Sequence, residues 1–560
     1  MANHRGIDGT AQPARVDPLT QRKVTEADYV IVGGGTAGCV LANRLSADPA
    51  SSVVVIEAGD EATSPWIRMP AGIAKLYDHA RLNWRYWTEP EAAMEGRRLY
   101  WPRGRVLGGT SSINGMTFVR GQREDYDAWS ARTGGAWSWN AVLPYFKRIE
   151  DSPFGPSELR GQGGPLKLGR IDRPHPLARA FVASAAAFGL PINDDYNGAR
   201  QEGVGYTEIM MRNGVRSSAE SGWLAPARGR PNLRVLTNAP ARRIVFEAAR
   251  AVGVEIVRAG EAEVVRARRE VLLCAGTVAS PQLLLLSGIG AAAVLQALGI
   301  PVVRDLCAVG ANLQEHVRAQ LVFRMREPSF NREARGVRLA GHVIDYALRR
   351  RGLLAVTASQ VNGFARSSPA VERPDLQLVF RPSSGDYREG RFVIHDFPGV
   401  MAMAGLLRPR SRGHVALKSR DASDPPSIVV GHLSDEADYA PLVAGIGLLR
   451  TIFATPPLAN AVDAELRPGP ELTDDVALRA YLRRTADSLY HAVGTCAMGT
   501  DAMSSVTTPE LLVHGVEALR VVDASVMPLV PSGNTTAAVL MIAERAADLI
   551  RGVRPAVARS

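Results

Sequence analysis

The chain has 560 residues, 46% of them apolar and 22% charged, which excludes a disordered or fibrous protein and, at this length, a single ordinary core; at least two domains are expected. Its formal charge of +10 permits contact with acidic surfaces or lipid headgroups, but the basic clusters (Arg266 to Arg269, Arg349 to Arg351) are short and no nucleic-acid motif accompanies them. Solvated surface is the plainer reading, and nucleic acid is not an expected partner.

Residues 1–27 are polar, with Pro and Gly but without the apolar stretch of a signal peptide, and read as a mobile leader. The longest apolar runs, such as Leu283 to Leu286, are too short to span a bilayer, so no integral membrane segment is expected. The cysteines Cys39, Cys274, Cys307 and Cys496 are scattered without a C-x-x-C pair. Buried free thiols in a reducing cytoplasm, with no zinc or other metal, follow from that spacing.

The first informative stretch is YVIVGGGTAG, Tyr29 to Gly38: four residues of a buried parallel strand followed by glycines at Gly33, Gly35 and Gly38. This is the G-x-G-x-x-G spacing, in which the first glycine permits a tight turn, the second lets the backbone approach a pyrophosphate and the third lets helix pack on strand. The helix expected from Cys39 to Ser46 aims its amino end at that phosphate. Alone the glycine pattern is weak. It gains weight from a second strand, Val53 to Ile56, that ends in Glu57, 19 residues past Gly38; a carboxylate there accepts from ribose hydroxyls and repels a 2′-phosphate, favouring FAD or NAD over NADP.

After Glu57 the chain turns aromatic and irregular through Trp66, Trp84, Tyr86, Trp87 and Trp101, a segment that either wraps a cofactor or simply packs. Gly104 to Gly121 (GRVLGGTSSINGMTFVRG) has neither helical nor strand periodicity and reads as a loop running close against a flat ligand. Val204 to Glu247 carries short strand-like runs. A strand from Val271 to Ala275 leads to a turn and an apolar helix opened by Ser280-Pro281. From Leu321 to Ala486 the texture becomes alternating strands and turns, which suits an antiparallel sheet with one face over a cavity; His414 there is read as a strand residue rather than a ligand. The chain closes with a buried strand, LRVVD, ending in Asp523, and a long helix capped by Ser532 or Asn534, whose free amides face the ligand crevice. His491, in SLYHAVGTCAMG, precedes a small-residue turn, so its ring can project over a flat cofactor; on local sequence a buried structural histidine is an equal alternative.

The strings Gly104 to Gly121 and Gly276 to Gly290, the segment VGANLQEHV (Val309 to Val317), and the match of Tyr490 to Gly499 to Y/W-H-x-x-G-T-x-x-M-G resemble the glucose-methanol-choline (GMC) family of FAD-dependent alcohol oxidoreductases. The resemblance spans Asp28 to Ile550. It implies an α/β fold: a Rossmann-like FAD-binding domain with a doubly wound parallel sheet (28–160, 205–320 and 487–554) and an α+β substrate domain with an antiparallel sheet (161–204 and 321–486). It makes His491 the catalytic base and Asn534, which could also be a helix cap, its active-site partner.

The cofactor contacts it implies are Gly33, Gly35, Thr36, Ala37, Gly38, Glu57 and Ala58 at the first turn; Val106, Asn114, Gly115, Met116 and Thr117 in the loop; and Ala241, where valine is more usual, at adenine. Ala275 and Gly276, Tyr490, Asp523 and Ala524, and Thr535 and Thr536 complete the set. Ile113 stands where some relatives attach FAD through histidine, so non-covalent FAD is expected. The reaction implied is oxidation of a primary alcohol, aromatic or aliphatic, to the aldehyde, with hydride passing to flavin N5 and oxygen or a quinone-type compound as acceptor. The alternatives are a choline-type dehydrogenase, for which no carboxylate or aromatic cage is identifiable, and non-redox or light-driven chemistry on the same scaffold, as in hydroxynitrile lyase or fatty-acid photodecarboxylase.

Overall fold

The computed structural model describes residues 24–388 and 391–553. Most of the expected leader, residues 1–23, lies outside the described residues, as does residue 554. In chain order, the strands of the two large sheets are β1 (Val24–Val32), β2 (Val53–Ile56), β3 (Gly203–Tyr206), β4 (Leu233–Leu236), β5 (Ala241–Glu247), β6 (Arg250–Arg258), β7 (Glu261–Leu273), β8 (Val317–Met325), β9 (Val361–Ala365), β10 (Leu376–Arg381), β11 (Gly399–Leu406), β12 (Val462–Arg467), β13 (Asp487–Ser488) and β14 (Leu519–Val521). Five helices matter for the site and surface: α1 (Thr36–Leu45), α2 (Gly276–Leu286), α3 (Gly336–Arg349), α4 (Tyr439–Ala454) and α5 (Thr536–Ile550).

The first sheet has seven strands in the order β4-β2-β1-β7-β6-β5, with β14 beside the end of β7. Its middle is parallel: β1 pairs with β2 and β7, β2 with β4, and β7 with β14. β2 and the second half of β1, Tyr29–Val32, are continuous apolar runs because both faces are covered, and β2 is buried at every position. β5 and β6 form an antiparallel edge against the first half of the long β7. Val24 to Ala27 pair in parallel with Val264 to Ala267, so residues 24–27, expected in the leader, are strand instead.

The second sheet, also seven-stranded, is antiparallel throughout, in the order β12-β8-β11-β10-β9-β3 with β13 beside β8. Alternation along β10 sends Leu378 and Phe380 into the core, while Gln377, Val379 and Arg381 face a cavity. Hydrogen bonding therefore corrects the expected boundaries. β3 straddles the division between 204 and 205, and Val317–Gln320 and Asp487–Ser488 belong to this sheet rather than to the first domain.

The core side of the second sheet is covered by α4, which buries Leu442, Ile446, Leu449 and Phe453; the Phe453 ring stacks on Phe323 with centroids 3.7 Å apart. By length and composition the helical stretch Glu436–Ala454 could cross a bilayer, a test that a core helix also passes. Its apolar side is engaged by the sheet.

Candidate active site

The glycine turn follows β1. Gly33 has φ +102°, and a Cβ there would lie 2.5 Å from the Cys274 carbonyl oxygen; one at Gly38 would lie 1.9 Å from the Gly33 oxygen. The protein's own packing demands both glycines. Gly35 differs: a Cβ would meet nothing nearer than 3.8 Å, leaving a shallow cradle above a backbone with φ −78° and ψ −160°. α1 begins directly after it, at Thr36 rather than Cys39, with Ala37 buried in its first turn and no side chain capping its amides. An uncapped helix start beneath an open glycine is suited to a phosphate.

Glu57, at the end of β2, reaches back to this turn: its Oε2 accepts from Gly34 N at 2.9 Å and its Oε1 from Gly59 N at 2.8 Å. Burial raises its pKa to about 7, against the lowering effect of those two hydrogen bonds. Ala58 is partly buried beside it. Ala239 N donates to the Glu57 carbonyl, so the segment entering β5 at Ala241 borders the same crevice.

The loop Gly104–Gly121 abuts this cradle, with Gly109 Cα 3.9 Å from the position of a Gly35 Cβ. A 3₁₀ turn, Gly109–Ser112, leads to Ile113 and Asn114. Asn114 Nδ2 donates to Thr536 Oγ1 at 3.2 Å and its Oδ1 accepts from Met116 N, tying the loop to the start of α5. Met116 is left-handed (φ 63°), the Gly115 carbonyl accepts from Thr357 Oγ1, Thr117 bridges to Ile209, and Val106 is wholly buried.

Arg216 escaped the sequence reading. It is buried; its Nε donates to the Ile67 carbonyl and its Nη1 to the Asn114 carbonyl (2.7 Å) and Oδ1 (2.9 Å), while Nη2 has no partner. Burial lowers its pKa to about 9. A guanidinium held by carbonyls, with a spare donor, is suited to an anionic group beside this loop.

Behind the turn, Asp523 Oδ2 accepts from Gly276 N (2.8 Å) and Ser280 Oγ (2.6 Å), and its Oδ1 from Ser525 N. Burial raises its pKa. Its two oxygens pin the turn at Ala275 and Gly276 to the segment that starts at Ala524.

α2 starts at Gly276, so Pro281 lies inside it rather than at its opening. The missing Pro281 N–H leaves the Thr277 carbonyl without its helical donor. Thr495 Oγ1 supplies one at 2.7 Å, and Thr277 Oγ1 donates to the Ala492 carbonyl at 2.8 Å. The proline thus frees a carbonyl that anchors the loop carrying His491.

The His491 ring is held from both sides. His316, in the connector before β8, was not singled out in the sequence; its Nδ1 lies 2.9 Å from His491 Nδ1 and its Nε2 3.1 Å from the Leu407 carbonyl oxygen. A carbonyl only accepts, so the His316 proton sits on Nε2, its Nδ1 accepts, and His491 donates through Nδ1–H. His491 Nε2 is then an unprotonated acceptor, and Asn534 Nδ2 donates to it at 2.7 Å. Asn534 Oδ1 accepts from Gln377 Nε2 at 3.0 Å, which fixes the amide's orientation. Burial, then the neighbouring His316 and Arg103, hold the His491 pKa well below 6.5; burial takes His316 to about 4. The His491 amide donates to Glu315 Oε1, and burial raises the pKa of that carboxyl to about 7 despite Arg103 at 3.7 Å.

The expected cap of α5 is not formed. Ser532 is taken by Asp125 and Asn534 by His491 and Gln377, so Thr535 stands at the helix start without a side-chain cap. Tyr490, left-handed at φ 67°, bonds Tyr77 through its hydroxyl. His491, Tyr490, Asn534, Thr535, Thr536, Asn114 and Gly115 share a cavity of about 1030 Å³ with Gln377, Val379 and Met403 of the second sheet. Asn362 Nδ2, Gln377 Oε1 and Thr207 Oγ1 are buried there without partners, leaving polar atoms for a ligand to satisfy. Cys307 is exposed, against the expectation that the thiols are buried; all four cysteines are free. The segment of chain around Cys307 simply lies at the surface.

The site therefore combines a phosphate cradle, an uncapped helix start, a spare buried cation and a neutral imidazole with its lone pair in a cavity large enough for a flat ring and a small substrate. Residues 27–318 and 409–543 match the N- and C-terminal models of GMC oxidoreductase. An alcohol dehydrogenase [acceptor] of Pseudomonas putida is 42% identical over 532 residues, 93% of this chain and 95% of its own. Human mitochondrial choline dehydrogenase is 40% identical, covering 94% and 90%. Among solved structures, pyridoxine 4-oxidase from Mesorbium loti superposes with a TM-score of 0.85 at 32% identity, over 94% of this chain and all of its own.

Proposed function

The chain belongs to the GMC oxidoreductase family, and from that premise we propose that it oxidises a primary alcohol, aromatic or aliphatic, to the aldehyde, with His491 as the base. As a family member it is an FAD-dependent oxidoreductase acting on alcohols. The residues fit that cofactor: the open Gly35 cradle and the Arg216 donor suit the diphosphate, Glu57 the ribose, and the uncapped α5 start with Asn114 and Thr536 the ring. When bound, FAD supplies the acceptor for the hydride leaving the carbinol carbon and passes the electrons to oxygen or a quinone-type compound.

The observation that supports the base assignment is the unprotonated Nε2 of His491 facing the cavity. A substrate hydroxyl that displaces the Asn534 N–H from the Nε2 lone pair, and accepts from that amide in turn, gives its proton to Nε2 as the carbon loses hydride. Protonation makes His491 Nδ1–H a cationic donor, which strengthens its bond to the His316 lone pair and spreads the charge away from the cavity. Asn362 and Gln377 supply further polar atoms that position the alcohol.

Ile113, buried at the position where a histidine would attach the flavin, supports dissociable FAD. Choline is a second reading on the names of relatives, but no Asp or Glu lines the cavity among the described residues, which favours an uncharged alcohol. Four free thiols suit a cytoplasmic location.

Replacing His491 by Ala tests the reading: the reductive half-reaction should slow by at least ~10²–10⁴-fold with FAD retained. A near-normal rate removes His491 from the base role. Anaerobic bleaching of the flavin by an alcohol in the dark separates this chemistry from cyanohydrin cleavage and from light-driven decarboxylation.

A further inference from the structure

Helix α3 lies along the mouth of the cavity and turns an apolar stripe the wrong way for a helix that ends at water. Val337, Ile344 and Leu348 stand at i, i+7 and i+11, on one face, and are 90%, 59% and 78% exposed. Only Tyr346 of its fourteen residues is buried. The opposite side, through Leu339, Val343 and Tyr346, lines the cavity. Beyond the helix, Leu353–Ala355 packs against Pro70–Gly72, and Trp66, 38% exposed, continues the same rim. Exposed apolar area arranged in one helical stripe marks a binding surface rather than scatter.

The flanks say what binds. Arg338 and Arg349 share the adjoining face, and residues 327–351 carry six arginines against three carboxylates. Two of those carboxylates are engaged: Asp345 lies 3.6 Å from Arg349, and Glu333 faces His342 and His175. Arg332, Arg338 and Arg351 are exposed, and no side-chain hydrogen bond or ion pair engages them among the described residues. A second copy of the chain docked here about a twofold axis would set the same arginines face to face. A bilayer of anionic phospholipid accepts both features at once, the apolar stripe among acyl chains and the arginines at the headgroups.

We propose that α3 is an in-plane membrane anchor that seats the enzyme on an anionic phospholipid surface with its cavity mouth at the headgroup level. The docking stands on the helix itself and does not depend on which alcohol is oxidised.

The test is flotation of the FAD-loaded full chain with vesicles of equal parts phosphatidylcholine and phosphatidylglycerol. The enzyme should float with these vesicles, float poorly with phosphatidylcholine alone, and be released by salt. The double variant Ile344→Ser, Leu348→Ser should lower the partition coefficient by about a hundredfold, and Arg338→Gln with Arg351→Gln by at least ~10-fold. Neither pair touches the cavity, so alcohol-driven flavin bleaching in solution should stay at the wild-type rate, which also certifies the fold. Failure of the wild type to float on anionic vesicles overturns the proposal, as does flotation unchanged by the serine pair. Dimers that the serine pair dissociates, without vesicle binding by the wild type, would assign the stripe to a second copy instead.

Discussion

Changing Gly35 to Ala separates what the glycine turn does for the protein from what it does for the cofactor. The backbone there has φ −78° and ψ −160°, open to any residue, and the new methyl would have its nearest neighbours at 3.8 and 3.9 Å, ordinary contact distances. Removing a glycine from the unfolded chain stabilises by about 0.4–1 kcal/mol. Alanine is the poorer residue at a helix N-cap, costing a few tenths to about 1 kcal/mol. The two offset, so the apoprotein should melt within ~3 °C of wild type. The cofactor meets a different surface. A methyl in the cradle holds the diphosphate off the α1 amides, and each hydrogen bond to a charged group lost in this way is worth about 1.5–3 kcal/mol, or ~10- to 150-fold in Kd. The assay is FAD titration of the apoprotein by quenching of flavin fluorescence, with melting curves with and without FAD. Wild type should gain far more from added FAD than the variant, because the gain follows ligand concentration over Kd. A wild-type Kd for the variant would show that the diphosphate does not sit over Gly35, and a variant that fails to fold would show that the protein itself needs the glycine. Gly38→Ala is the contrasting control: its Cβ would lie 1.9 Å from the Gly33 oxygen, so it should not fold.

Four further outcomes are expected. His316→Phe removes the acceptor for His491 Nδ1–H, which should lower the rate of flavin reduction at least ~10-fold, equal to ~1.4 kcal/mol, with FAD retained; an unchanged rate in rapid mixing would deny His316 any positioning role. The depressed pKa of His491 means that the proposed base is already neutral from below pH 6.5 upward, so its own limb in kcat/KM should lie in the acid range; a limb centred near 6.5 that persists in Glu315→Gln and Glu57→Gln, whose carboxyls titrate near 7, would contradict the effect of burial on His491. Because His316 and His491 are neutral when folded but take up protons near 6.5 when unfolded, their contribution to stability is full above that pH and lost as pH falls towards their folded values, visible in melting temperature against pH. Acid or heat should release all of the flavin to the supernatant, whereas colour retained on the denatured chain would show an attachment that Ile113 cannot make.

The sequence carried the glycine turn, Glu57, His491, Asn534 and the change from parallel to antiparallel texture, because each is a local pattern with a local physical cause. What it did not carry depends on residues far apart in the chain. His316 meets His491 across 175 positions and Gln377 meets Asn534 across 157, so neither has a signal in its own neighbourhood. The cap expected from Ser532 or Asn534 failed for the same reason: distant Asp125, His491 and Gln377 compete for those side chains. Pro281 misled the placement of α2 because the donor that makes an interior proline tolerable, Thr495, lies 218 residues from the carbonyl it serves. The stripe on α3 is legible as a helical period, but only the fold reveals that it points outward.

The chain of contacts from Asn534 through His491 and His316 ends on the Leu407 carbonyl, just past the last residue of β11. The proposed proton acceptor is thus tied to both domains, through His316 to the end of the sheet that shapes the pocket and through Thr277 and Thr495 to α2 beside the parallel sheet. Selection for a new substrate is free to remodel the positions of β10 that face the chamber, Val379 and Arg381, but any shift that drags the end of β11 moves the imidazole as well. Descendants of this scaffold should diversify along one strand and stay frozen at its neighbour's tip.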